Sequence, residues 1–186
     1  WDMDRLSREF MLLARSDGDD TIYGFDFSDT HDGGARNDRL EGGVYSDTYI
    51  FRQGYGHDTI YDHSRALLLS SGYDRLEMQN INFADVTISR YRNNLTFTLK
   101  STGESITLEG QYNRLSDTVV EEFVFADQTI VNTDLNPEDV DLIGTSGDDI
   151  LYGTHYAERI DGRAGNDLLI GYADGDTYLF DIGYGV

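Results

Sequence analysis

The chain has 186 residues, and 35 Asp or Glu stand against 14 Lys or Arg, a formal net charge of -21. That balance argues against nucleic acid or anionic lipid as a partner and suits divalent cations. There is no Cys, hence no disulfide scaffold and no thiolate metal site, while 13 Tyr and 9 Phe argue against wholesale disorder.

Residues 1–14 form an N-terminal flank, where "RLSREFMLLA" (5–14) reads as a short amphipathic helix or an edge strand. No cleavable signal opens the chain and no apolar run is long enough to span a membrane. From 15 to 61 the chain repeats itself. Asp20, Asp29, Asp38 and Asp47 lie nine residues apart, and Asp58 follows after a two-residue slip. Two residues beyond each stands Ile22, His31, Leu40, Tyr49 or Ile60. Between 62 and 131 glycine falls and alternation takes over: "DVTISRYR", "NLTFTLK" and "ESITLEGQY", the last after a hairpin-like "STGE". "EEFVFADQTIV" adds one or two strands, so an antiparallel β unit of four to six strands is expected here. Its aromatic residues, Phe83, Tyr91, Phe97, Tyr112, Phe123 and Phe125, read as its core. Residues 132–143 hold the only Pro and read as a linker. From 144 to 186 the nine-residue spacing returns in Asp149, Glu158, Asp167 and Asp176, followed by Leu151, Ile160, Leu169 and Tyr178. The two blocks match at an offset of 129, "DGGARNDRLEGG" with "DGRAGNDLLIGY" and "SDTYIFRQGYGH" with "GDTYLFDIGYGV". The chain opens on Trp1 and stops where the first block continues "GYGHDTIYD", so a piece of a longer polypeptide is expected.

A nine-residue unit fits a tight turn of about six residues and a strand of about three. Glycine takes the positive φ angles of such a turn and lets backbone carbonyls crowd inward. The closing aspartate aims a carboxylate at the same point, a donor set suited to Ca²⁺ before Mg²⁺. The apolar residue two steps later points into a narrow core. If turns stack, neighbouring aspartates about 4 Å apart repel by on the order of 4 kcal/mol at an effective dielectric near 20. A divalent ion between them reverses the sign, so a chain expanded without Ca²⁺ and folded with it is expected.

"GGARNDRLEGG" and "GRAGNDLLIGY" resemble the nonapeptide GGxGxDxUx, U apolar, of repeats-in-toxin (RTX) proteins, the haemolysin-type calcium-binding repeats. "DTYIFRQGYGHDTIYD" (47–62) and "EEFVFADQTI" (121–130) resemble the ends of the haemolysin-type calcium-binding related domain found between such blocks. The resemblance implies two parallel β-rolls, with two nonapeptides per coil and calcium between repeats n and n+2. By position, Asp20 pairs with Asp38, Asp29 with Asp47, Asp38 with Asp58, Asp149 with Asp167 and Glu158 with Asp176. Turn carbonyls complete each site, with Gly18, Gly147 and Gly165 at the fourth position of their turns. Fifth-position Asp19, Asn37, Asp148 and Asn166 orient the turn or join the site. The fourth-position Gly is replaced by Phe27, Arg36, Tyr45, Tyr156 and Asp174, so the repeats holding Asp29 and Glu158 depart furthest from the pattern. The resemblance also implies type I secretion from a Gram-negative bacterium and folding outside the cell.

Other chemistry finds little anchor. "DGDDTIYGFDFS" lacks the Gly and Glu of an EF-hand loop. His31, His57, His63 and His155 show no zinc spacing and read as surface or turn residues. No G-x-S-x-G elbow is present, and Glu121 and Glu122 face opposite ways on a strand. The expected function is a non-catalytic, calcium-binding structural module of a large secreted RTX protein, supporting neighbouring domains. The alternatives are an adhesin-type module binding carbohydrate or a surface partner, with tyrosines stacking on sugar, and the ancillary region of an RTX lipase, protease or polysaccharide-modifying enzyme.

Overall fold

The structure is a computed structural model that describes residues 16–62, 72–112, 119–132, 135, 140–154 and 157–185. The segment 5–14, His63, His155 and Tyr156 lie outside the described residues. In the first block, strands β1 (Thr21–Tyr23), β2 (Thr30–Asp32), β3 (Arg39–Glu41), β4 (Thr48–Phe51) and β5 (His57–Ile60) follow at nine-residue steps. They alternate between two faces, since β1, β3 and β5 pair in parallel and so do β2 and β4. Each coil therefore uses two nonapeptides. The register sets Ile22 beside Leu40 and His31 beside Tyr49, and absorbs the slip by setting Leu40 beside Ile60. The second block repeats the plan in β12 (Asp141–Ile143), β13 (Ile150–Tyr152), β14 (Arg159–Asp161), β15 (Leu168–Ile170) and β16 (Thr177–Leu179). There β12, β14 and β16 pair in parallel, as do β13 and β15.

The middle holds the expected antiparallel strands and is spliced into the rolls by parallel ones. It contains β6 (Arg75–Met78), β7 (Val86–Tyr91), β8 (Asn94–Leu99), β9 (Ser105–Leu108), β10 (Glu122–Val124) and β11 (Thr129–Val131). Among its described strands the β7–β8–β9 meander and the β10–β11 hairpin are antiparallel. β6 continues the parallel stack on β4, and β10 continues it on β6. β9 pairs in parallel with β5, and β7 with β12. The result is one nine-stranded sheet in the order β1-β3-β5-β9-β8-β7-β12-β14-β16. The stretch 132–143, read as a linker, contains β12 because Leu142 supplies the next inward apolar residue, fully buried.

Strand alternation sends one residue of each of these strands inward, and the register joins them in a single row. The row runs Ile22, Leu40, Ile60, Leu108, Leu95, Arg90, Leu142, Ile160 and Tyr178. All are buried except Tyr178, which is 44% exposed on the last strand of the sheet although the interior was expected for it. Its hydroxyl still accepts from Gly171 N–H at 3.0 Å, as Tyr49 does from Gly42 N–H at 3.0 Å. On the opposite face His31, Tyr49, Leu76 and Phe123 align. Phe97 packs on Phe123 and Phe125 at 5.0 and 6.0 Å, so the middle holds the main apolar core. The second block has a thin core of Leu142, Leu151 and Ile160, the kind that calls for a staple.

Candidate metal centre

Each turn closes on an acid whose carboxylate folds back over it. One oxygen of Asp20, Asp29, Asp149 and Glu158 accepts the N–H four residues earlier, from Ser16 at 2.7 Å, Phe25 at 2.6 Å, Thr145 at 2.6 Å and Thr154 at 2.7 Å. The glycine that opens the turn leaves the room for this. A Cβ on Gly33 would lie 2.5 Å from Asp38 Oδ2, and one on Gly162 2.5 Å from Asp167 Oδ2. The other oxygen reaches the coil before. Asp38 Oδ1 accepts from Asp20 N–H at 2.8 Å, Asp47 from Asp29 at 2.8 Å and Asp58 from Asp38 at 2.9 Å. Asp167 accepts from Asp149 at 2.9 Å and Asp176 from Glu158 at 3.1 Å. The acids two repeats apart thus meet along the roll edges.

One column extends beyond the repeats. Asp74 Oδ1 accepts from Asp47 N–H at 2.7 Å, and Glu121 Oε2 from Asp74 N–H at 2.6 Å. The column therefore runs Asp29, Asp47, Asp74, Glu121, with Asp62 hydrogen-bonded to Asp74 and to the Gly43 backbone at its side. Sequence spacing missed Asp74 and Glu121, although each stands two residues before a buried apolar residue, Leu76 or Phe123, as in the repeats.

The fifth-position side chains form an outer ladder. Asp19 Oδ1 accepts from Asn37 N–H at 3.2 Å, Asn37 Oδ1 from His57 N–H at 2.8 Å and Asp148 Oδ1 from Asn166 N–H at 2.8 Å. At the fourth position Gly18 and Gly147 donate to Ser16 Oγ at 3.1 Å and Thr145 Oγ1 at 3.2 Å. Gly165, at φ +132, sits so close to the coil before that a Cβ would lie 2.5 Å from Gly147 O. Arg36, Tyr45 and Asp174 adopt the same left-handed region, at φ 81, 79 and 64. Each stores about 1–2 kcal/mol of strain that turn closure must offset. Phe27 avoids it and stacks on Phe25 at 5.5 Å.

These carboxylates are costly to bury. Asp29 Oδ1, Asp47 Oδ2 and Asp58 Oδ2 have no hydrogen-bond partner among the described residues. No Lys or Arg among those residues forms an ion pair with them. Burial pushes Asp47 up to about 8, helped by the charges of Asp74 and Asp29. It pushes Asp58 up to about 7, helped by Asp38, Asp32 and Glu104. Asp29 rises for the same reason, and Asp62 rises through burial and its bond to Asp74. Bare carboxylate oxygens beside crowded turn carbonyls fit a hard divalent cation.

Glu158 is already balanced, because Arg90 Nη2 lies 2.8 Å from its Oε1 with both side chains buried. Asp149 accepts from Tyr91 Oη at 2.9 Å. Burial raises its pKa, but the bonds from Thr145 and Tyr91 outweigh that and hold it below the usual carboxylate range. His31, expected at the surface or in a turn, is fully buried and stacked on Tyr49 at 5.1 Å. Burial brings its pKa down to about 4 and keeps the ring neutral. His57 is exposed and its Nδ1 meets Ser105 Oγ at 3.0 Å.

Residues 94–134 match the haemolysin-type calcium binding protein related domain. The matched domain takes in β8 to β11, the strands that close the first roll and begin the splice to the second. The crystal structure of the extracellular lipase LipA from Serratia marcescens is similar at 19% identity and a TM-score of 0.45, over 89% of this chain and 29% of that one. This chain thus spans under a third of that lipase's length. No curated protein matches the chain.

Proposed function

We propose that the chain is a calcium-binding structural module of a large secreted protein, with no catalysis of its own, and that Ca²⁺ folds it outside the cell. The observation that carries this is the pair of columns of buried, unbalanced carboxylates, one through Asp47 and one through Asp58, each stacked one coil from the next acid. On one edge Asp20, Asp38 and Asp58 would hold the ions, on the other Asp47 and Asp74, and in the second block Asp149, Asp167 and Asp176. The haemolysin-type match over 94–134 supports the choice of calcium. Extracellular calcium modules bind at about 10⁻⁴ to 10⁻³ M, so the sites would stay unfilled in the cell interior and fill outside. At tenfold over Kd each independent site adds about 1.4 kcal/mol, and several together decide the fold. Far-UV circular dichroism in EDTA and in millimolar Ca²⁺ tests the proposal. The β signal is expected to grow with Ca²⁺ and only weakly with Mg²⁺, and an unchanged spectrum overturns it.

A second reading, an adhesin-type surface, has one observation in its favour. Tyr152 and Tyr172 are 54% and 63% exposed and stack at 6.4 Å, a platform of the size that sugar rings use. A glycan array probed in Ca²⁺ tests it, and the absence of any bound glycan sinks it.

A further inference from the structure

We propose that Asp29, His31 and Asp47 form a separate site for a borderline divalent transition metal of the Zn²⁺ class, inside the first roll. His31 stands at the inward position that holds Ile22, Leu40, Tyr49, Ile60, Leu151 or Ile160 in other repeats. Residues i and i+2 of a strand share a face, so the ring turns to the same side as the Asp29 carboxylate. Parallel pairing of β2 with β4 then brings Asp47 alongside. One ligand atom from each of the three lies within 4.8 Å of the other two, and all three side chains are buried.

The atoms left over are the ones a metal needs. Asp29 Oδ2 is taken by Phe25 N–H at 2.6 Å and Asp47 Oδ1 by Asp29 N–H at 2.8 Å. These bonds orient the two carboxylates, as outer-shell partners do around metal ligands. The remaining oxygens, Asp29 Oδ1 and Asp47 Oδ2, have no hydrogen-bond partner among the described residues, and neither has either ring nitrogen of His31. Tyr49, stacked on the ring at an interplanar angle of 21°, fixes its plane. Calcium and magnesium favour all-oxygen shells, whereas imidazole nitrogen beside carboxylate suits Zn²⁺, Co²⁺ and their neighbours. Two carboxylates also match the charge of one such ion. The site rests on the proposed calcium reading only in that Asp29 and Asp47 belong to one of its columns, where the imidazole changes which ion that pair prefers.

The test titrates Co²⁺ into the chain held in millimolar Ca²⁺, reading the visible d–d bands, then adds Zn²⁺ as competitor. The wild-type chain is expected to take up one equivalent of Co²⁺ that Zn²⁺ displaces. His31→Leu, which restores the apolar residue of the other repeats, is expected to weaken binding at least tenfold and abolish the bands. Its Ca²⁺-induced far-UV spectrum should match wild type. Asp29→Asn, close in shape, is expected to weaken Co²⁺ binding likewise and serves if His31→Leu fails to fold. Equal Co²⁺ binding by wild type and both variants, or none by wild type, overturns the site. Bands lost in His31→Leu without any Ca²⁺-driven folding leave this site standing and remove the calcium reading. Ca²⁺-driven folding without such bands does the reverse.

Discussion

A methyl group at Gly33 would press on Asp38 Oδ2 from 2.5 Å, whereas one at Gly18 would meet only Ser16 Oγ at 3.3 Å. Gly33→Ala therefore overfills a turn and displaces the carboxylate that reaches back to Asp20 N–H. Thermal unfolding in Ca²⁺ should show it destabilised by about 1–3 kcal/mol, with a raised Ca²⁺ midpoint. Gly18→Ala should stay within about 0.5 kcal/mol of wild type. Titration gives a second expectation. Asp47 and Asp58 move from 3.8 to about 8 and about 7 in the metal-free coil, so the folded form binds more protons than the unfolded chain. Their contribution is full below 3.8 and is lost as pH rises through 7 and 8. His31 is lowered from 6.5 to about 4, and it opposes them only below 6.5. In limiting Ca²⁺, with these sites unfilled, the melting temperature should thus fall from pH 6.5 to pH 8, and with saturating Ca²⁺ that fall should vanish. The aspartates were legible in the sequence because their spacing is local and regular. His31 was not, because its residue type pointed to the surface while its strand position pointed inward, and position won.

At the scale of elements, β7 carries a charge into the core. Arg90 sits in the inward row between Leu95 and Leu142, and its partner Glu158 lies 68 residues away. No local pattern announces that pairing, although it explains how a repeat closing on Glu158 tolerates its carboxylate. Arg90→Leu leaves Glu158 buried and unbalanced, and urea unfolding in Ca²⁺ should show a loss of about 3–5 kcal/mol. Arg90→Leu with Glu158→Leu should recover most of it, because a buried ion pair replaced by apolar residues is often neutral or better. A double variant as unstable as the single one would mean that Arg90 acts through packing and not through charge. The nonapeptide strands were readable because each carries its own turn and apolar residue. β6 was not, since the residues between β5 and β6 break the nine-residue count; β10 was read as a strand within "EEFVFADQTIV" but its parallel place on β6 was not, and β12 was hidden because Val140 stands where an acid is due. The alternating patterns of β7, β8 and β9 gave their strands correctly but not their parallel neighbours, which only long-range register decides.

At the scale of the whole molecule, the two rolls share one sheet, and β8 is the fifth of its nine strands. Either the sheet transmits stability from end to end, or two rolls merely abut at the meander. Two side-chain bonds favour transmission, since Arg90 binds Glu158 and Tyr91 binds Asp149, both from β7 into the second block. Phe97 on β8 is buried against Phe123 and Phe125, so Phe97→Ala should cost about 3–5 kcal/mol. Native-state hydrogen exchange in saturating Ca²⁺ shows where that cost is felt. Tyr61 N–H, bonded to Leu40 O at 2.9 Å, reports on the first roll, and Gly144 N–H, bonded to Asp161 O at 2.7 Å, reports on the second. Both should lose protection by the same free energy if the sheet unfolds as a unit. A Gly144 amide that keeps its wild-type protection while Tyr61 loses its own would make the second roll an independent unit. Its thin core of Leu142, Leu151 and Ile160 would then depend on bound ions alone, with no help from the meander.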